Sequence, residues 1–175
     1  ERALKKATSS TDGANYEEIT YEGYGPGGVA ILVEALTDNR NRTATNVRVI
    51  FNRNGGSLGE TGSVSYMFDR KGYLAIEREH LLIDEDTLLE KILEAGAEDL
   101  VTSDEVFEIY TEAEDFTTVR DFLEREFTLA QAELTMLPQT TVSLNEAQQN
   151  QFDQLIEKLE DDDDVSEVYT SIDNS

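Results

Sequence analysis

Thr140-Thr141-Val142-Ser143-Leu144 alternates as a strand, and Asn145 supplies a helix cap. Phe152, Leu155, Ile156 and Leu159 then recur at i, i+3, i+4 and i+7, and Val165 to Ile172 predicts a last strand. One strand, one helix and one strand cannot enclose a core by themselves. This tail must therefore pack on something earlier in the chain. The economical partner is the first folded segment, which leaves residues 72–137 as an insertion.

Working outward, the first segment carries the elements such a tail needs. Ile19-Thr20-Tyr21-Glu22 alternates, Gly23-Tyr24-Gly25-Pro26-Gly27-Gly28 forces a loop, and Val29 to Leu36 reads as a buried strand. Asp38 to Arg42 offers helix caps, Ala44, Val47, Ile50 and Phe51 share a helical face, and Asn54-Gly55-Gly56 stops the helix. Val64 to Phe68 alternates as a further strand. In the insertion, Tyr73 to Ile76 predicts a strand, and Asp84 caps a helix that ends at Gly96. Residues 97–102 and 105–111 follow as strands, Asp115 caps a second helix, and Ala132 to Met136 closes the unit. The order βαββαβ is that of a ferredoxin-like fold. The expected fold class is α+β, two domains with antiparallel or mixed sheets covered by helices. One domain is discontinuous over 14–71 and 138–175, and the ferredoxin-like one is inserted over 72–137. Residues 1–13 are expected to be the remnant of a helical domain and its linker.

The 175 residues hold 38 acids against 14 Lys and Arg, a net charge of −24. Residues 1–72 carry nine bases and nine acids, so the whole acidic excess lies beyond them. An acidic surface repels phosphate backbones, and any nucleic-acid surface must lie in the first 72 residues or in sequence preceding Glu1. With no cysteine, thiolate metal sites, thiol nucleophiles and disulfides are excluded. The longest apolar run, Val29 to Val33, is strand-sized, far short of the roughly 20 residues that span a bilayer. Glu1 to Lys6 has neither an initiator Met nor a signal-peptide core, so the chain is expected to begin inside a longer protein.

Gly23, Gly25 and Gly28 formally satisfy G-x-G-x-x-G, yet a strand rather than a helix follows them, which removes the helix N-terminus a dinucleotide needs. Two readings of this loop stand. It is a tight turn between paired strands, or an exposed backbone that approaches a partner closely, with Tyr24 stacking on a base. The helix from about Asn41 to Asn54 places Arg42, Asn46, Val49 and Arg53 on one stripe, flanked by Arg48 and preceded by Arg40. These arginines either pair with acids from the acidic half or contact phosphate oxygens, which the guanidinium fork suits. His80 is the one histidine, so no histidine metal cluster can form, and its charged neighbours point to a solvated loop. Asp161 to Asp164 lacks the alternating ligands of a calcium loop and reads as a solvated turn. Asn41-Arg42-Thr43 matches a glycosylation sequon at a helix start, where it carries little meaning.

Three stretches closely resemble the YebC/PmpR family: Tyr21 to Ala30 (YEGYGPGGVA), Glu34 to Thr43 (EALTDNRNRT) and Asn54 to Val64 (NGGSLGETGSV). Leu137 to Val142 and Asp163 to Tyr169 look like the same family, and the resemblance runs over roughly residues 15–172. The resemblance implies a non-enzymatic, cytoplasmic gene-expression regulator of the kind described as DNA-binding transcriptional regulators. Mitochondrial relatives are described as translational activators of cytochrome oxidase, and a ribosome-associated role in translation is attached to bacterial members. It also implies a basic helical N-terminal domain, absent here, that carries much of the nucleic-acid contact. Expected partners are DNA or ribosomal RNA, with ribosomal or other basic proteins a further class, and no membrane, metal or cofactor. An acidic protein-interaction scaffold is the competing reading. The expected nucleic-acid-binding residues are Tyr24, Gly25, Gly27, Gly28, Arg40, Arg42, Arg48 and Arg53.

Overall fold

The computed structural model describes residues 15–79 and 81–173. The expected N-terminal remnant over 1–13 and the loop position of His80 lie outside the described residues. The chain is α+β and divides into two compact units, one of residues up to Phe68 together with those from Pro138 onward, the other Asp69–Leu137.

In the first unit, β1 (Glu17–Tyr24) and β2 (Ala30–Thr37) form an antiparallel hairpin in which Tyr24 faces Ala30 across the glycine turn. The two-residue β3 (Ser57–Leu58) extends β1, and β8 (Val165–Thr170) pairs antiparallel with β2, giving the order β3-β1-β2-β8. Two helices cover one face: α1 (Arg40–Arg53) and α4 (Glu146–Asp161). Asn39 starts α1 by accepting from the Arg42 amide, and Thr43, Val47 and Phe51 bury at i, i+4 and i+8. Asn145 and Gln148 form a reciprocal capping box at the start of α4. Val29, Ile31 and Val33 meet Val47, Phe51, Phe152, Leu155, Leu159 and Val165 in one core. The tail thus supplies half of the covering layer and an edge strand.

The second unit runs β4 (Phe68–Glu77), α2 (Glu85–Ala95), β5 (Asp99–Thr102), β6 (Val106–Glu112), α3 (Phe116–Glu124) and β7 (Gln131–Pro138). Its sheet order, β5-β6-β4-β7, is that of a ferredoxin-like βαββαβ unit. Leu74, Ile76, Phe107 and Ile109 point to the helices and pack on Leu88, Ile92, Val119 and Leu123.

Four local expectations change. Val64 to Met67 is a turn rather than a strand: Glu22 takes the Val64 and Ser65 amides, Met67 N–H donates to Val64, and pairing begins only at Phe68. Thr140 to Leu144 shrinks to a single bridge between Val142 and Ile172, because the chain turns at once into the Asn145 cap. Asp115 makes no side-chain cap; it closes a short 3-10 turn, Ala113–Asp115, with helical dihedral angles of its own. The Asp161 to Asp164 run is not uniformly solvated, since Asp164 is buried.

Candidate nucleic-acid interface

Helix α1 contains four arginines and no acid. A helix N-terminus carries partial positive charge, so arginines there are unfavourable unless countered, whereas arginines toward the C-terminus are favourable. The structure follows that rule. Arg40, at the first helical position, pairs with Glu17 at 3.0 Å. Arg42 is forked onto Asp164, with its Nη2 3.0 Å from both carboxylate oxygens and its Nε 3.2 Å from one, and it also reaches Asp38 at 3.0 Å. Asp164 further accepts from Thr43 Oγ1 at 2.8 Å, and its backbone carbonyl takes the Leu36 amide. Asp164, and after it Asp38, raise the Arg42 pKa above its ordinary value. Arg42 therefore ties the start of α1 to the turn between α4 and β8, which is the ion-pair reading of this arginine.

Arg48 and Arg53 are different. Both are exposed, and among the described residues neither has a carboxylate within ion-pairing distance. Thr45, Asn46, Val49 and Asn52 are exposed with them, so the outer face of α1 presents two free guanidinium groups among short polar side chains. Arg40 and Arg42 lie at the opposite end of a 14-residue helix from Arg53, roughly 20 Å away along its axis.

The glycine loop combines both of its sequence readings. Gly25 and Pro26 are buried, and a β-carbon on Gly25 would sit 2.8 Å from Ile31 Cδ1 and 3.2 Å from Leu155 Cδ2. Gly25 is a packing residue, closed off from any partner. Gly27 and Gly28 are exposed, with φ of +71° and +86°. Gly27 rests on Leu144 and Gln148 of the α4 entry, while Gly28 has open space where a side chain would be. Tyr24 is half-buried, and its hydroxyl donates to the Ser63 carbonyl at 3.4 Å, which turns its edge toward the 59–67 loop.

The structure brings Arg53 toward the glycine turn. Gly55, at φ +80°, lies so close to Gln151 that an added β-carbon would be 2.5 Å from the amide carbon. A β-carbon on Gly56 would be 2.5 Å from the Tyr24 carbonyl. The end of α1, the hairpin turn and the first half of α4 therefore converge, with the uncharged amides Gln148 and Gln151 between them. Sequence reasoning missed these glutamines; the one available signal was the Asn145-to-Gln148 capping spacing. It also missed Glu22. Although only 4% exposed, Glu22 accepts from the amides of Gly62 at 2.8 Å, Val64 at 3.0 Å and Ser65 at 2.7 Å. Burial pushes its carboxyl up, and the three amide donors more than reverse that, holding it below the usual carboxylate range.

The unit bearing this site is not neutral. Residues 15–68 and 138–173 hold five basic and 16 acidic residues, because the tail that completes the fold brings its acids with it. Among the described residues of this unit the exposed bases without an ion pair are Arg48 and Arg53 on α1 and Lys158 near the end of α4. Among the described residues no cluster of three His, Asp or Glu could hold a metal ion, and no helix is long and apolar enough to cross a membrane.

A family model described as the TACO1/YebC second and third domain matches residues 16–172. The chain is 69% identical over 174 residues to a "Probable transcriptional regulatory protein" of Enterococcus faecalis, covering 99% of this chain and 72% of that one. A protein of the same name from Ligilactobacillus salivarius is 67% identical, with 98% and 71% covered. The crystal structure of a conserved hypothetical protein from Aquifex aeolicus superimposes with a TM-score of 0.81 at 42% identity, covering 98% of this chain and 71% of that one.

Proposed function

The chain belongs to the TACO1/YebC family, and from that premise we propose that it is a non-enzymatic, cytoplasmic regulator of gene expression that touches nucleic acid through the exposed end of α1. The observation that carries this reading is the pair Arg48 and Arg53, exposed and without carboxylate partners among the described residues of a chain whose net charge is −24. Arg70 and Arg125 of the second unit are likewise exposed and without a carboxylate partner among the described residues; what sets Arg48 and Arg53 apart is that they stand together on one helix that carries no acid. Gly27 and Gly28 offer exposed backbone at the hairpin turn, and Gln151, against Gly55 just past the end of α1, offers an amide. Arg40 and Arg42 serve the fold first and lie outside this core of the site. The names of the relatives support transcriptional regulation; duplex DNA is the partner proposed for it.

Ribosomal RNA is the second reading, and the charge balance favours it: a two-arginine patch on an acidic body suits brief contact with structured RNA better than a long duplex track. The test is co-sedimentation with purified ribosomes beside duplex-DNA binding at matched salt, using the chain and its Arg48→Glu/Arg53→Glu variant. Two phosphate contacts predict a log–log salt slope of about −2 for duplex DNA. The variant should lose most binding to whichever target is genuine, with its circular dichroism unchanged. Binding that the double reversal leaves intact removes α1 from the function.

A further inference from the structure

The second unit carries a feature that nucleic-acid contact does not use. Because Leu74, Ile76, Phe107 and Ile109 point to the helices, their neighbours on the two central strands point the other way. That face carries Lys71, Tyr73, Ala75 and Glu77 from β4 and Glu108, Tyr110 and Glu112 from β6; Ala75 is buried, the two tyrosines are half-buried, and Glu77 and Glu112 are exposed. Tyr73 and Tyr110 are direct cross-strand partners, with ring centroids 5.4 Å apart and planes inclined at 54°. The Tyr73 hydroxyl donates to Glu108 Oε2 at 2.5 Å. The single lysine is already neutralised, lying 2.8 Å from Glu98 and 2.7 Å from Glu112.

Paired aromatics on the central strands of such a sheet are an arrangement that stacks nucleic-acid bases in basic proteins. Here the charge is inverted. Residues 69–137 hold 20 acids against six bases, so a phosphate backbone meets repulsion at every approach. A cavity of about 820 Å³ begins at Tyr73 and Ala75 and continues past Glu77 to Asp104 and Glu105. At its far end, on the helix-facing side of the sheet, the Arg78 guanidinium lies 4.7 Å above the Phe107 ring and donates to the Ser103 carbonyl. Tyrosine faces and carboxylates together favour a planar cation, which stacks on the ring and hydrogen-bonds at its edges.

We infer that this tyrosine-bearing sheet face and the acidic cavity running from it form a docking site for an arginine-rich, extended segment of a partner protein. The site is independent of the α1 interface and stands or falls separately from it. The occupant is chosen by charge complementarity and by the aromatic pair, which distinguishes arginine from a generic cation.

The test uses the whole chain with a fluorescein-labelled peptide of alternating arginine and glycine, followed by fluorescence anisotropy, with lysine–glycine and glutamine–glycine peptides for comparison. The arginine peptide should bind more tightly than the lysine one, and the glutamine one not at all. Glu77→Lys/Glu105→Lys should weaken binding about tenfold, whereas Glu157→Lys/Glu160→Lys, an equal charge change on α4, should alter it less than about twofold. Tyr110→Leu should lose roughly threefold for the arginine peptide while leaving the weaker lysine-peptide binding nearly unchanged, and Tyr110→Phe should restore it; a purely structural loss would weaken both peptides alike. Amide shifts on arginine-peptide titration should concentrate in β4 and β6. Equal losses from the two double reversals, or equal binding of arginine and lysine peptides, overturn the proposal. So does a single-stranded oligonucleotide that shifts the same amides.

Discussion

Glu22 is the most informative residue to change, because a buried carboxylate there organises the whole 59–67 loop. Its two oxygens divide the work: Oε1 serves Val64 and Ser65, and Oε2 serves Gly62. Glu22→Gln can keep its carbonyl toward Val64 and Ser65 but must then present an NH2 group to the Gly62 amide, donor against donor. Losing one charge-assisted bond and creating one unsatisfied donor costs about 1.5 kcal/mol. Glu22→Ala leaves three donors without an acceptor, and the partial exposure of Gly62 and Ser65 lets water recover some of that, for a cost of about 3 kcal/mol. Urea unfolding followed by far-ultraviolet circular dichroism reads both values. The pH dependence supplies a second measurement. The folded Glu22 carboxyl is held below its ordinary value of 4.5, so its contribution is fully present above the unfolded value and disappears as pH falls through the lower folded one. The Gln variant should lose that component, so the gap between wild type and variant narrows below about pH 4.5. Equal urea midpoints at neutral pH together with parallel acid profiles would refute the role given to this carboxylate.

Gly27 and Gly28 share a left-handed backbone yet differ in surroundings, so Gly28→Ala should cost about 1 kcal/mol. Gly27→Ala should cost about 2–3 kcal/mol, because its β-carbon would fall 2.4 Å from Leu144 Cδ2 and displace the entry to α4; thermal unfolding of the two variants checks the difference. Asp164→Asn should destabilise by about 2 kcal/mol through the weakened Arg42 fork and Thr43 bond, measured by urea unfolding. Arg42→Ala should cost about as much as Asp164→Asn by the same assay, since it leaves the buried Asp164 carboxylate with Thr43 as its remaining side-chain donor, whereas Arg42, 46% exposed, can rehydrate when Asp164 is changed.

The α+β class and the ferredoxin-like order of the inserted segment were legible because each element there carries its own punctuation: Asp84 before α2, Gly96 after it, and alternating apolar residues in β4 and β6. The return of the tail was legible for a different reason, since a lone amphipathic helix with two short strands has no core of its own. What sequence could not resolve was how long-range polar contacts override local pattern. Val64 to Phe68 alternates like a strand, but Glu22, some forty residues earlier, claims its amides and bends it. The arginines of α1 look alike in sequence, yet Asp164, separated from Arg42 by 122 positions, ties one of them into the fold. Gly25 and Gly28 belong to one motif, and only packing by Ile31 and Leu155 tells the sealed glycine from the open one. Charge by segment also misled: a neutral stretch of sequence became part of an acidic unit once its distant strand arrived.

The interleaved order of the chain has a consequence for its synthesis. Asp69–Leu137 is continuous and can close as soon as it leaves the ribosome, whereas β2 must wait for a strand whose Ser166 bonds to Glu34 across 132 positions. Until α4 and β8 emerge, Val29, Ile31 and Val33 lack half their cover and one strand edge stands unpaired. The later-translated middle is therefore free to mature first, and the nascent chain is most vulnerable to strand-edge association in the interval before α4 and β8 are made. The Gln139 amide meeting the Met67 carbonyl at 2.9 Å continues the β4–β7 neighbourhood past the neck, so closure of the insertion already holds its entry and exit side by side.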